Sequence, residues 1–352
     1  MKTHHAAVEP LPVVQEHWGA VGAMSLCVAL LIAAEFMPVS LLTPIARDLG
    51  ASDGLAGLAI SISGLFAVIA SLLVTRVCAH HERRHVLMGL ALMMLLSLVL
   101  IALSPNFALL MLARALLGVV VGGFWALATA TIMRLVAPDS VPRALGLMYT
   151  GNAVATAFAA PLGSYLGGII GWRGVFWLLA PLVVLNLVWM AVSLPSMRSE
   201  RRVTQALGLL KRPNVAMAML GVMLTFAGAF CAFTYFRPFL ETRTQTSLPE
   251  LSSLLLALGM AGFVGTTVAS ATLHRHLYRL LRWLPLILAL ITLGLLAMQH
   301  HFWGVALMLT LWGAINAAIP VVWSAWIARG IHDAPESGGG LIVAAIQLAI
   351  ML

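Results

Sequence analysis

Uninterrupted apolar runs of about 20 residues alternate along this chain with short polar connections, the pattern of helices able to cross roughly 30 Å of hydrocarbon. Ten such runs lie near residues 18–42, 54–75, 85–104, 107–133, 143–169, 173–193, 213–238, 249–272, 283–299 and 302–328. An eleventh begins near Gly338 and the sequence stops within it, at Leu352, so the pattern predicts a chain truncated inside its eleventh span. The longest polar stretch, Ser193 to Asn214, follows the sixth run and carries Arg198, Glu200, Arg201, Arg202, Lys211 and Arg212. It divides the chain into a tail over 1–17, a six-span half over 18–193, a linker over 194–212 and an incomplete second half over 213–352.

Echoes between the halves support that division. Phe36-Met37-Pro38, near the end of the first span, returns as Phe236-Arg237-Pro238 near the end of the seventh. Val68-Ile69-Ala70-Ser71 of the second span likewise resembles Thr267-Val268-Ala269-Ser270 of the eighth. Equal rank in each half predicts an all-α membrane fold of two parallel repeats.

Composition rules out a soluble domain: hydrophobic residues make up 61% and charged residues 9%, against about 25% charged in soluble chains. A net charge of +8 would suit nucleic acid, but the bases are spread over many connections instead of forming one face. No nucleic-acid partner is expected. The spread is uneven in another way. One set of alternate connections holds Lys2, Arg76, Arg83, Arg84, Arg134, Arg143, Arg198, Arg201, Arg202, Lys211, Arg212, Arg275, Arg279, Arg282 and Arg329. The other holds only Arg47, Arg173, Arg237 and Arg243, so the positive-inside rule predicts a cytoplasmic N-terminus. Met1 to His17 lacks the short apolar core and small-residue cleavage site of a signal peptide. Cys27, Cys78 and Cys231 form no paired framework, and the 11 histidines fall mostly in connections. No metal or organic cofactor is expected, and no phosphate loop, zinc helix or nucleophile elbow supports an enzyme.

Two charges stand inside the apolar runs. Glu35 is the sole acid well within a span, where an ionised carboxylate costs on the order of 2.5–3.5 kcal/mol unless it faces water or a partner. Such a group can take a proton on one side and release it on the other; the alternative is a carboxylate that snorkels to the outer interface. Arg114 is the sole base well within a span, about 10 Å from the outer end of the fourth helix, a depth matching that of Glu35. It can pair with Glu35, hold an electronegative ligand, or anchor neighbouring helices. Gly118, Gly122 and Gly123 follow on the same helix and permit close backbone approach. In the fifth span, Pro161, Gly163 and Gly167 predict a kinked helix that yields against its neighbour. Aromatic and polar side chains of the seventh and tenth spans, among them Tyr235, Arg237, Trp312, Asn316 and Trp323, would suit flat ligands with polar edges. For Tyr235 and Trp326 an interfacial aromatic belt is the competing explanation.

These stretches resemble the drug and metabolite efflux branch of the major facilitator superfamily, over about Trp18 to Leu352. Glu35-Phe36-Met37-Pro38-Val39-Ser40-Leu41-Leu42-Thr43-Pro44 matches its first-helix motif. Arg114 with Gly118 and Gly122-Gly123-Phe124-Trp125-Ala126 resembles its fourth-helix motif. Pro161-Leu162-Gly163-Ser164-Tyr165-Leu166-Gly167, followed by Gly171-Trp172-Arg173, resembles its antiporter motif. Within the branch, Glu35 to Gly50, Gly122 to Val136 and Phe233 to Pro238 are similar to the bacterial purine ribonucleoside efflux pumps. The resemblance implies a twelve-span, monomeric, multi-pass carrier of the bacterial inner membrane that exports inosine-like nucleosides in exchange for protons. Membrane lipid and a small-molecule substrate are then its partners, the proton is its coupling ion and Glu35 its proton site. Substrate contacts would come from Phe36, Arg114, Trp125, Tyr235, Arg237, Trp312, Asn316 and Trp323. Gating and packing would fall to Arg83, Arg84, Gly118, Gly122, Pro161, Gly163 and Gly167. One departure lies between the second and third spans, where Ala79 and Glu82 occupy the places of the family's aspartate and glycine. Export of sugars or diverse drugs is the neighbouring reading, and a non-transporting membrane receptor or a membrane enzyme represents other classes.

Overall fold

In the computed structural model, which describes residues 16–51, 53–78, 81–197, 206–331 and 333–351, the apolar runs are helices. A helix closes its own backbone hydrogen bonds, which hydrocarbon cannot supply. α1 (Trp18–Ser40) leads into the short α2 (Leu42–Asp48), followed by α3 (Asp53–Cys78), α4 (Arg83–Leu103) and α5 (Phe107–Leu135). After α6 (Val141–Ser193) come α7 (Pro213–Thr242), α8 (Leu248–Ala297), α9 (Phe302–Gly330) and α10 (Pro335–Met351), with no strand among the described residues. The tail over 1–15 and the linker bases Arg198, Arg201 and Arg202 lie outside those residues.

At 53 and 50 residues, α6 and α8 are each far longer than the roughly 20 residues a single crossing needs. Each is broken once. Gly171 has φ 74° and ψ 161°, a backbone open to glycine because it lacks a Cβ. His276 breaks α8 at φ −132° and ψ 23°. The breaks fall where the apolar pattern separates the fifth span from the sixth and the eighth from the ninth. Pro161, expected to kink the fifth span, instead sits within α6 without interrupting its helical dihedrals, and the change of direction comes ten residues later. Among the described residues, 8 helices can by length and composition cross a membrane, and shorter apolar stretches cover Ser61–Val74 and Ser337–Met351. Their outer faces carry exposed Leu92, Leu185, Val192, Leu290 and Leu293, the surface lipid covers in a multi-pass membrane protein.

Buried side chains gather into two cores, one drawn from Ala20 to Met197 and the other from Leu209 to Ala349. The same close contact recurs in both. A Cβ on Gly118 or Gly122 of α5 would overlap the backbone of Ser63 or Ala67 of α3. In the second core a Cβ on Gly313 of α9 would overlap Leu258 of α8, and one on Gly265 of α8 would overlap Ala314 of α9. Gly163 and Gly167 do the same service where the 141–170 limb of α6 meets Met37, Ser40 and Leu41. The cores touch along two seams: α10 lies on α3 and α5, and α6 lies on α8 where Gly259 abuts Ala157.

Basic residues mark one end of the bundle. There Arg83 donates its backbone N–H to the Met197 carbonyl at 3.0 Å, and Arg84 donates to the Ala191 carbonyl at 2.6 Å. Arg143 stacks over Trp18 at 5.3 Å, and Arg212 makes two bonds to Asp333 at 3.0 and 2.6 Å. At the opposite end Asp48 pairs with Arg173 and accepts from the Trp172 indole at 3.2 Å. The Arg173 guanidinium beside it holds the Asp48 carboxyl below the usual carboxylate range.

Candidate site at the seam between the halves

Glu35 lies 17 residues into the 23-residue α1, so it stands about 26 Å from the basic end and about 8 Å from the other. α1 packs on α6 and α5, α10 closes on the first half against α3 and α5, and Glu35 is half-buried. Arg114 reaches it from α5. The guanidinium is 1% exposed and donates to the carbonyls of Ala59 on α3 at 3.0 Å and Ala34 on α1 at 3.3 Å. Planar and forked, it ties three helices together while its charge acts on the Glu35 carboxylate. From the second half, the Gln347 side chain of α10 also acts on the Glu35 carboxyl group.

An aromatic cluster continues from Glu35 toward the end away from the bases. Phe36 stacks on Phe230 of α7 at 6.3 Å between centroids and meets Phe233 edge-on at 6.1 Å. Phe233 in turn stacks on Trp312 at 6.3 Å, and Phe236 meets the same indole at 4.8 Å. Phe36 and Phe236, corresponding residues of the two sequence echoes, thus belong to one cluster. Nearer the basic end, Trp125 stacks on Tyr149 at 6.0 Å, and the Tyr149 hydroxyl bonds Ser324 of α9 at 3.2 Å. The halves are therefore bridged at two levels: by Phe36 with Phe230 and Phe233, and by Tyr149–Ser324. Half-buried Trp125 and Tyr149 stand on the seam at the second level, and Asn316 is a half-buried residue of α9.

Several other candidates lie elsewhere. Trp312 is fully buried in the second core and donates its indole N–H to Thr292 at 3.1 Å, so it backs the phenylalanines instead of forming a free wall. Trp323 is buried against Gly221 and meets Trp326 edge-on at 6.1 Å. Tyr235 is 63% exposed on the outer surface of α7. The Arg237 side chain lies outside the described residues. Arg83 and Arg84 fasten α4 to the end of α6, and Gly118, Gly122, Gly163 and Gly167 serve close packing within the first half. Three seam residues were missed in the sequence: Gln347, Tyr149 and Ser324. Only Gln347 leaves a signal there, as the one polar side chain of the run from Leu341 to Leu352.

Chemically, the seam offers a carboxyl group held between a fixed cation and a neutral amide, with aromatic faces on both sides. Such a site suits reversible protonation next to a flat, polar-edged solute. The Major Facilitator Superfamily sequence profile matches residues 24–352. A Pseudomonas aeruginosa protein named transcription regulatory protein OpdE is 47% identical over 95% of this chain and 85% of its own length. The purine ribonucleoside efflux pump NepI of Salmonella typhimurium is 40% identical over 96% of this chain and 85% of its own. Among solved structures, a D-xylose–proton symporter superposes with a TM-score of 0.75 at 15% identity, covering 96% of this chain and 88% of that one. The human organic anion transporter MFSD10 does so with a TM-score of 0.72 at 17% identity, covering 97% and 92%.

Proposed function

This chain belongs to the Major Facilitator Superfamily, and from that membership we propose that it is a proton-coupled antiporter exporting purine ribonucleosides by alternating access. The basic end then faces the cytoplasm of a bacterial inner membrane. The observation that carries the reading is the position of Glu35, a half-buried acid under the charge of Arg114 and next to Phe36 at the seam the two halves must open and close. The likeness to NepI supports a nucleoside as the solute, and the faces of Phe36 and Trp125 suit a purine ring. With a membrane potential near 150 mV, each inward proton supplies about 3.5 kcal/mol, enough for a gradient of a few hundredfold.

The test is uptake of radiolabelled inosine into inside-out vesicles. An imposed proton gradient, acid inside, should stimulate uptake several-fold, and Glu35→Gln should remove the stimulation while leaving the protein in the membrane. Uptake by the unmodified protein that ignores the gradient rejects the coupling; a stimulated Glu35→Gln protein rejects that residue as its site. A second reading comes from the relative named for regulating transcription: a membrane protein whose presence alters gene expression. Under it, Glu35→Gln would keep any transcriptional effect of the gene. Under transport, the effect would be lost with solute movement.

A further inference from the structure

We propose that the two seams between the halves have different duties: the contact of Gly259 on α8 with Ala157 on α6 is the bearing about which the halves turn, and the contact of Gly340 on α10 with Ser71 on α3 is the edge that this turn opens at the basic end. The proposal rests on the reading that the halves alternate, and deepens it by naming the residues of the axis.

The halves are built alike, which makes the seams comparable. The contact of Gly313 with Leu258 repeats in the second half that of Gly118 with Ser63 in the first, and the residues that follow Leu258 and Ser63 are Gly259 and Gly64. These two glycines thus hold corresponding places, one on each seam. Their surroundings differ. A Cβ on Gly259 would overlap the Ala157 Cα and stand 2.7 Å from its Cβ, so backbone meets backbone with no room for a methyl group. A Cβ on Gly64 would stand 3.3 Å from the Gln347 carbonyl oxygen and 3.5 Å from the Met351 Cβ, a looser fit. On that seam the tighter glycine contact lies about 10 Å nearer the basic end, where the Ser71 carbonyl oxygen is 2.8 Å from the place of a Cβ on Gly340. At their glycines, one seam is therefore closest at mid-height and the other toward its basic end.

A contact on the axis keeps its length as two bodies turn, whereas a contact off the axis changes in proportion to its distance from it. The Gly259–Ala157 pair suits the first role, because it has no long side chain whose rotamer must change during the turn. Ala157 stands 16 residues into α6, about 24 Å from the basic end and close to the level of Glu35 at about 26 Å. A turn about that level can present Glu35 to either side. Tyr149, on the same helix, lies about 12 Å nearer the basic end. A turn of about 15° moves a contact about 12 Å from the axis by about 3 Å, enough to part Gly340 from Ser71 and Tyr149 from Ser324.

Spin labels at Asp139 and Arg329 report the basic end and labels at Arg47 and Arg243 the other, all four positions being exposed, in the full chain in nanodiscs with Cys27, Cys78 and Cys231 replaced. Gly340→Val puts a wedge off the axis. It should raise the population with the long Asp139–Arg329 distance about tenfold and lower the population with the long Arg47–Arg243 distance. Gly259→Ala puts a wedge on the axis, so it should shift the balance between the two open forms less than about twofold. Ala157→Gly takes a methyl group from the same contact without crowding it, and covers the case of a Gly259→Ala protein that does not fold; its balance should also hold within about twofold. Larger, opposite shifts at the two ends in Gly259→Ala or Ala157→Gly overturn the bearing, and unchanged distances in Gly340→Val overturn the edge. Gradient-stimulated inosine uptake by the unmodified protein is measured in parallel. Its absence rejects proton-coupled export and leaves the distances to decide the bearing, whereas coupled uptake with opposite shifts in Gly259→Ala rejects the bearing alone.

Discussion

Arg114 and Glu35 stand out in the sequence because each is the only charge of its sign well inside an apolar run, and burial makes a charge expensive enough to demand a partner. What the sequence does not fix is how each is satisfied. Arg114 directs its guanidinium at the carbonyls of Ala59 and Ala34, which makes it a fixed cation rather than a free arm for a ligand. Gln347 escapes notice because a neutral amide barely interrupts an apolar run. Tyr149 and Ser324 are ordinary residues until two distant helices bring them together. At the opposite end of the bundle, Asp48 gives a prediction of pH dependence. Its folded carboxyl titrates below the ordinary range because of Arg173, so its contribution to stability is full above about pH 4 and fades as the pH falls further. Asp48→Asn should therefore lower the melting temperature slightly at neutral pH, and the difference should shrink as the pH is taken below the ordinary carboxylate range when followed by scanning fluorimetry.

Whole helices were the most legible level. Runs of apolar residues locate nearly every crossing, and the two long helices break within the polar or glycine-bearing connections the pattern marks, at Gly171 and His276. The facing of each helix was less legible. A helix apolar all round carries no amphipathic stripe to show which side meets protein and which meets lipid. Trp312 illustrates this: its position read as a ligand wall, and it proves to be core. Glycine patterns say more, because only a missing Cβ admits a backbone so closely. Gly118→Val would press against Ser63, where a backbone has little room to yield, and should cost about 1–3 kcal/mol or more. Its detergent-solubilised form should melt several degrees lower, whereas Gly89→Ala, with open space around it, should melt like the parent.

Across the whole molecule, two cores joined along α3–α10 and α6–α8 are the arrangement two bodies need if they are to rock without unfolding. The echoes of Phe36-Met37-Pro38 and Val68-Ile69-Ala70-Ser71 pointed to such a duplication, and the recurring contacts of Gly118 and Gly313 give it a physical basis. Under the proposed alternating access, the bond between Tyr149 and Ser324 would part when the basic end opens. Tyr149→Phe removes a neutral hydrogen bond worth about 0.5–1.5 kcal/mol, so it should shift the population toward that open form by up to about tenfold. Spin labels at Asp139 and Arg329, exposed on either side of that end, would register the change; an unaltered distance distribution would deny the bond any such role.

The stack running from Phe36 through Phe233 to Trp312 has an effect beyond holding helices together. Rings offer no chain of hydroxyls along which a hydronium could hop, so under the proposed coupling this stack would insulate the path just beyond Glu35. An exchanger lacking such insulation would short-circuit the gradient that drives it, and each ring replaced by a small hydroxylated residue would make the membrane leakier to acid even with no solute present.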